Sequence, residues 1–227
     1  MKNIVASNLA TVTARVRAAE REAGRPQGSV NLLAVSKTKP ISHIEAAVAA
    51  GQRVFGENYA QEAVDKAMAL ASLQLEWHFI GPVQSNKTRS LASHMDWVHT
   101  VDREKIARRL SEQRPAHLGP LNVCLQVNIS GENTKAGLQP NQLKELAGIV
   151  SVLPNLRLRG LMAIPAPAIS EDGRREPHKA LAQLFMQLQE QHPGIDTLSM
   201  GMSGDLEAAI AEGATIVRIG TDIFGPR

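Results

Sequence analysis

The sequence predicts an α/β protein built as a single (β/α)8, or TIM, barrel. Three observations carry that expectation. About eight short apolar segments with strand character recur along the 227 residues. Each except the last is followed by a stretch with helical periodicity, and no Pro/Gly/Ser-rich linker divides the chain. One domain over residues 1–227 is therefore expected, with an open doubly wound sheet as the architecture that the same alternation also permits.

The elements follow in order. Asn3 to Ala23 reads as a helix, because Leu9, Val12, Val16 and Ala19 recur at three- and four-residue spacing, and Gly24 and Pro26 end it. Leu32-Leu33-Ala34-Val35-Ser36-Lys37 reads as a strand stopped by Pro40. Ser42-His43-Ile44-Glu45 has the form of a capping box opening a helix to Ala50. Val54-Phe55-Gly56 is a strand and Gln61 to Leu70 a helix; Glu76 to Ile80 is a strand, followed by a turn at Gly81-Pro82 and a short helix near Lys87. Trp97 to Val101 is the next strand, after which Asp102 is placed to cap a helix carrying Ile106 and Leu110. Val123 to Asn128 is a strand, and Leu143, Leu146 and Val150 mark the helix after it. Leu156 to Met162 is a strand whose following loop, Pro167 to Arg175, is polar and reads as a mobile excursion, with Pro177 opening the helix that carries Leu181, Leu184, Phe185 and Leu188. Thr197 to Met200 is a strand, Asp205 to Glu212 a helix, and Thr215 to Ile219 the last strand.

Composition narrows the function classes. Hydrophobic content of 43% and charged content of 21% are ordinary for a soluble globular protein. The 25 basic and 22 acidic residues leave a charge of +3 with no basic block, and aromatic residues make up only 3%, so nucleic-acid binding is not expected. No run is long enough to span a membrane, and Met1-Lys2-Asn3-Ile4 lacks the apolar centre of a signal peptide. The single cysteine, Cys124, excludes an internal disulfide and reads as a small core residue, which fits a cytoplasmic protein.

Strand ends of such a barrel converge on one rim, where its active sites lie. The polar strand-end residues are Lys37 and Lys39, Glu57-Asn58-Tyr59, Gln84 to Lys87, Asn128, Ser199 to Ser203 and Arg218 to Thr221. Lys37 continues the face shared by Leu33 and Val35, where desolvation favours the neutral, nucleophilic amine. Ser199-Met200-Gly201-Met202-Ser203-Gly204-Asp205 and Gly220-Thr221 follow the last two strands, the positions at which these barrels commonly bind phosphate. Asp205 and Glu207 count against that reading unless their carboxylates point elsewhere. Arg218 lies between Val217 and Ile219; alternation sends it into the barrel, where it needs a partner, either a structural carboxylate such as Glu57 or a ligand. The seven histidines show no metal-ligand spacing, no G-x-S-x-G elbow is present, and His78 and His99 read as structural. Gly131 to Gly137 reads as a surface turn carrying one cation.

These residues carry a resemblance that covers essentially the whole chain. Leu33 to Lys39, Phe55-Gly56-Glu57-Asn58-Tyr59, Trp77 to Lys87, Gly160-Leu161-Met162-Ala163-Ile164, Leu198 to Asp205 and Val217 to Thr221 closely resemble the YggS/PROSC family of pyridoxal phosphate homeostasis proteins. The resemblance implies a barrel similar to the N-terminal domain of alanine racemase, with pyridoxal 5'-phosphate joined to Lys37 as a Schiff base. It implies that Arg218 meets the pyridine nitrogen, that Ser203, Gly220 and Thr221 hold the phosphate, and that Ser199, Met200 and Asn58 line the site. No metal is implied. The expected role is reversible holding and delivery of the cofactor without turnover, with apo-enzymes as recipients, no nucleic acid or membrane, and a monomeric state. Two other readings stay open: an amino-acid racemase using Tyr59 or Lys39 as second base, and an aldolase in which Lys37 attacks a sugar phosphate.

Overall fold

A computed structural model describes residues 2–131, 136–166 and 170–226. Helix α1 (Lys2–Glu22) precedes the barrel, and β1 (Asn31–Val35), α2 (Ile41–Ala49), β2 (Val54–Glu57), α3 (Ala60–Ala69), β3 (Glu76–Phe79) and α4 (Thr88–His94) begin it. Then come β4 (Trp97–Val101), α5 (Glu104–Gln113), β5 (Leu121–Gln126) and α6 (Leu143–Ser151). The chain continues through β6 (Leu156–Met162), α7 (Glu171–Gln191), β7 (Thr197–Ser199), α8 (Leu206–Ala211), β8 (Ile216–Ile219) and α9 (Thr221–Phe224). The strands are parallel and close in sequence order, with β8 returning to pair with β1 through Leu33↔Arg218 and Ala34↔Ile219. The closed barrel excludes the open sheet.

Closure follows from burial on both faces of each strand. Ala34, Phe55, Val98, Leu161, Leu198 and Val217 join one large core with the helices, including Leu9, Val12, Val16 and Ala19 of α1. Inside the barrel, Leu33, Val35, Ile80 and Ile216 form one cluster and Trp97, Cys124 and Met162 another. Cys124 is thus a buried core thiol, and burial pushes its pKa up. No helix of the described residues is long and apolar enough to cross a membrane.

Several local expectations are corrected. Helix α2 starts one residue before Ser42, with Pro40 at the N-cap and no side-chain cap, so the capping box does not form. Arg103, not Asp102, occupies the N-cap of α5, and Asp102 instead accepts a hydrogen bond from Arg103 at 2.6 Å. The loop after β6 is shorter than its polarity suggests. Ser170 caps α7 by accepting from the Gly173 N–H at 3.1 Å, which places Pro177 inside the helix rather than at its start. Residues 167–169 lie outside the described residues, as do 132–135 of the expected turn. A short helix, α9, follows the last strand and was not anticipated.

Candidate functional site

A cavity of about 320 Å³ opens at the C-terminal ends of the strands, within the size range of small-molecule sites. Lys37, Asn58, Ser203, Arg218, Gly220 and Thr221 all lie on its wall, brought together from four strand ends. Ser199 sits behind the wall, fully buried against Arg218. The Met200 side chain is also fully buried but belongs to the core shared with the helices, and Met200 is not on the cavity wall. Gln84 to Lys87 and Asn128 are not on the wall.

The turn that presents Lys37 is built from below. Thr38 has φ 60°, a region that a β-branched residue rarely adopts, so the turn is strained by about 1–3 kcal/mol. It is held by two acids and a lysine. The Thr38 N–H donates to Glu62 Oε1 at 2.6 Å, and Lys66 Nζ donates to Glu62 Oε1 (2.7 Å), Glu57 Oε1 (2.8 Å) and the Ser36 carbonyl (2.7 Å). The Ser36 hydroxyl adds a 2.6 Å bond to Glu57. Burial raises the pKa of Glu57, more than the bonds from Lys66 and Ser36 lower it. Glu57 therefore pairs with Lys66 and not with Arg218. Parity explains the correction: Gly56 faces the barrel interior beside Leu33 and Ile80, so Glu57 faces outward toward α3.

Arg218 does point inward. Its Nη1 donates to the Ser199 carbonyl at 2.6 Å and the Ser199 hydroxyl at 3.0 Å, and its Nη2 donates to the Ala163 carbonyl at 2.8 Å. A guanidinium has five N–H bonds, so its Nε–H and one Nη2 hydrogen have no acceptor among the described residues. Burial pushes its pKa down to about 10, which leaves it charged at neutral pH. Asn58 adds a buried Oδ1 with no partner among the described residues.

The two loops beyond β7 and β8 supply N–H groups. Neither Ser203 nor Gly204 has an acceptor for its N–H among the described residues, and Thr221 and Asp222 begin α9, where no carbonyl lies one turn back. Gly201 lets this loop fold tightly: at φ +91° a Cβ there would lie 2.6 Å from that of Ala209. The acids that argued against an anion site are turned away. Asp205 accepts from the Met202 N–H (2.6 Å) and pairs with His178 (3.0 Å). Burial raises its pKa, but those bonds outweigh burial and hold it below the usual range. Glu207 is bound by Arg15 at 2.6 and 3.0 Å; the same guanidinium reaches Asp222 at 3.1 Å and the Ser203 carbonyl at 2.9 Å.

Sequence reasoning missed Arg15 and Lys66. Neither has a local signal, since each looks like one more charge on a helix and acquires its role only from residues across the fold. Of the two candidate second bases, Lys39 donates to the carbonyls of Gly225 (3.0 Å) and Pro226 (2.6 Å), and Tyr59 is half exposed away from the cavity wall.

Comparison with known proteins supplies the family. The family described as alanine racemase, N-terminal domain, matches residues 7–227. A pyridoxal phosphate homeostasis protein of Pseudomonas aeruginosa is 61% identical over 223 residues, covering 98% of this chain and 96% of the relative. The protein of the same name from Escherichia coli is 57% identical over 228 residues, covering 99% and 97%. PipY of Synechococcus elongatus, solved with PLP bound, superposes with a TM-score of 0.85 at 37% identity, covering 97% of this chain and all of that one. The chain belongs to the alanine racemase N-terminal-domain family and, within it, to the pyridoxal phosphate homeostasis proteins.

Proposed function

We propose that this chain reversibly holds pyridoxal 5'-phosphate and so buffers the cofactor and passes it to apo-enzymes that need it. One observation carries the reading: one cavity joins a strand-end amine, an inward guanidinium and backbone amides of the two phosphate-side loops, the last two with N–H bonds that no acceptor among the described residues takes. When bound, the cofactor supplies an aldehyde that bonds reversibly to an amine, a ring nitrogen and a phosphate dianion. The residues present fit those groups. Lys37 is the amine on the wall. Ser203, Gly220 and Thr221 hold the phosphate, with Glu207 and Asp222 already engaged by Arg15 and Asp205 by His178 and the Met202 N–H. Asn58 brings a buried acceptor unpartnered among the described residues, Ser199 acts through Arg218, and the Met200 side chain stays in the core shared with the helices.

Arg218 also explains why holding, not turnover, is favoured. A guanidinium donates and does not accept, so a ring nitrogen against it stays unprotonated, and an unprotonated ring withdraws electrons weakly. Of the two candidate second bases, Lys39 shares the cavity wall but its amine is bound by the Gly225 and Pro226 carbonyls, and Tyr59 is half exposed and off the wall, so neither is placed as a ready partner for Lys37. The relatives are named for homeostasis, which supports the same conclusion. The buried thiol of Cys124 supports a cytoplasmic setting. We read residues 1–227 as one binding unit that acts as a monomer, which sedimentation checks directly.

The test is borohydride reduction of protein loaded with pyridoxal phosphate, followed by peptide mass spectrometry. The adduct is expected on the peptide containing Lys37 and absent from Lys37→Ala. An adduct confined to another lysine would overturn the assignment. Solvent deuterium entering the α-carbon of added amino acids, and stopping in Tyr59→Phe, would instead establish a racemase.

A further inference from the structure

A continuous polar chain crosses the inside of the barrel from its opposite mouth to Arg218. Glu76, at the start of β3, has its Oε1 2.8 Å from His78 Nε2. His78 Nδ1 lies 2.8 Å from His99 Nε2, and His99 Nδ1 lies 2.8 Å from the Ser199 hydroxyl. That hydroxyl in turn accepts from Arg218 at 3.0 Å. Both histidines are buried, whereas the Glu76 side chain is 46% exposed at the mouth.

The ends of this chain dictate its direction. An ionised carboxylate only accepts and a guanidinium only donates. With Glu76 accepting, His78 must carry its proton on Nε2, which leaves Nδ1 as an acceptor. His99 must then donate from Nε2 and accept at Nδ1. The Ser199 O–H therefore points at His99, and its lone pairs face the Arg218 Nη1. Every donor points the same way, and each ring is neutral. Reversing one member would set two donors or two acceptors against each other inside the barrel.

We propose that His78 and His99 are positioning residues for Arg218: anchored on Glu76, they fix the Ser199 hydroxyl so that it accepts from the guanidinium and holds that group in place for the cofactor. The assignment rests on the reading of the cavity as a pyridoxal phosphate site only in its final clause. The groups facing the chain agree with neutral rings. Burial lowers the pKa of His78 more than Glu76 and Asp96 raise it, with Arg159 adding to the lowering; burial, His78 and Arg218 all lower that of His99. Arg159 stands 4.5 Å over the Trp97 ring, and Trp97 stacks on His78 at 5.2 Å between centroids, closing the lower side.

Nitrogen-15 NMR of the cofactor-free protein, labelled at histidine and arginine, tests the chain directly. Both His78 and His99 are expected as Nε2–H tautomers at pH 7, with slowly exchanging Arg218 Nη protons. An Nδ1–H tautomer or an imidazolium at either position overturns the proposal. Glu76→Ala, at the half-exposed mouth, removes only the anchor and should give His78 a mixture of tautomers; a His78 signal unchanged from the parent refutes the anchoring. His99→Leu should speed Arg218 Nη exchange and weaken pyridoxal phosphate binding about tenfold, the loss for one buried charge-assisted bond, while His99→Gln, which can both donate and accept, should restore part of each. Arg218 exchange unaffected in His99→Leu overturns the positioning role. If instead the exchange changes but the parent protein takes up no pyridoxal phosphate, the positioning stands and the reading of the cavity fails.

Discussion

Replacing Gly81 by alanine should damage the site from behind while leaving every cavity residue in the sequence. Gly81 follows the end of β3 and lies directly against the backbone of Asn58. A Cβ at Gly81 would fall 1.9 Å from the Asn58 carbonyl oxygen, 2.6 Å from its carbonyl carbon and 2.8 Å from its Cα. Restoring even the 3.0 Å that real Cβ atoms respect requires the two backbones to part by about 1.1 Å. Neither moves freely. The Gly81 carbonyl accepts the Thr100 hydroxyl at 2.6 Å, and the Ile80 N–H is tied to the Glu57 carbonyl at 2.9 Å. We expect a loss of about 2–4 kcal/mol, the upper part of the usual overpacking range and beyond it, because the obstacle is backbone. Asn58 should move with it and lower pyridoxal phosphate affinity about tenfold, the equivalent of one buried hydrogen bond. Urea unfolding and absorbance titration with the cofactor measure the two effects. Gly148→Ala is the control: it lies on the exposed side of α6 with no atom within 4 Å of the added Cβ, and should stabilise by about 0.5–1 kcal/mol. A Gly81→Ala protein within 0.5 kcal/mol of the parent would refute the packing argument, and a destabilised one with full affinity would remove Asn58 from the site.

Three further outcomes are expected. Lys66→Met leaves Glu57 buried without its cation, at a cost of about 3–5 kcal/mol while that acid is ionised; because burial already raises the Glu57 pKa, the loss should be smaller at pH 5 than at pH 8, and an equal loss at both would contradict the assignment. The buried His78 and His99 have pKa values below the ordinary 6.5, so their contribution is fully present above that pH and fades as pH falls, because the unfolded chain takes up protons first; urea unfolding between pH 7 and 5 should show a slope of up to about 2.7 kcal/mol per pH unit for two protons, reduced by roughly half in His99→Gln. Arg15→Ala frees the carboxylates of Glu207 and Asp222 beside the amide-lined loops, so affinity for inorganic phosphate should drop a few-fold at low salt and recover as ionic strength rises; a loss independent of salt would mean that Arg15 acts by shaping the Ser203 loop.

Strand alternation is a local property, and it was enough to send Leu33, Val35 and Lys37 to one face and Arg218 inward. The same rule, applied to Phe55-Gly56-Glu57, would have turned Glu57 away from Arg218, so that misplacement was avoidable. Helix starts were less legible. Ser42 and Asp102 both have capping chemistry, yet the chain begins each helix at a neighbouring residue because the strand-to-helix connection, fixed by barrel closure, sets where the first turn can start.

By itself, then, the sequence determined the alternation of strand and helix, the rim on which the cavity lies and the polar residues Lys37, Asn58, Ser203, Arg218, Gly220 and Thr221 of its wall, because hydrophobic period and strand-end position are written within a few neighbouring residues. Closure of the sheet into a barrel was settled by the fold. Only the tertiary structure decided what holds those residues in place. Arg15 reaches Glu207 across 192 positions and His99 meets Ser199 across 100, while Lys66 reaches the Ser36 carbonyl beside Lys37 from α3, 30 positions on. No local pattern marks such partners: a buried polar group must be satisfied, but which group satisfies it is settled by closure of the barrel.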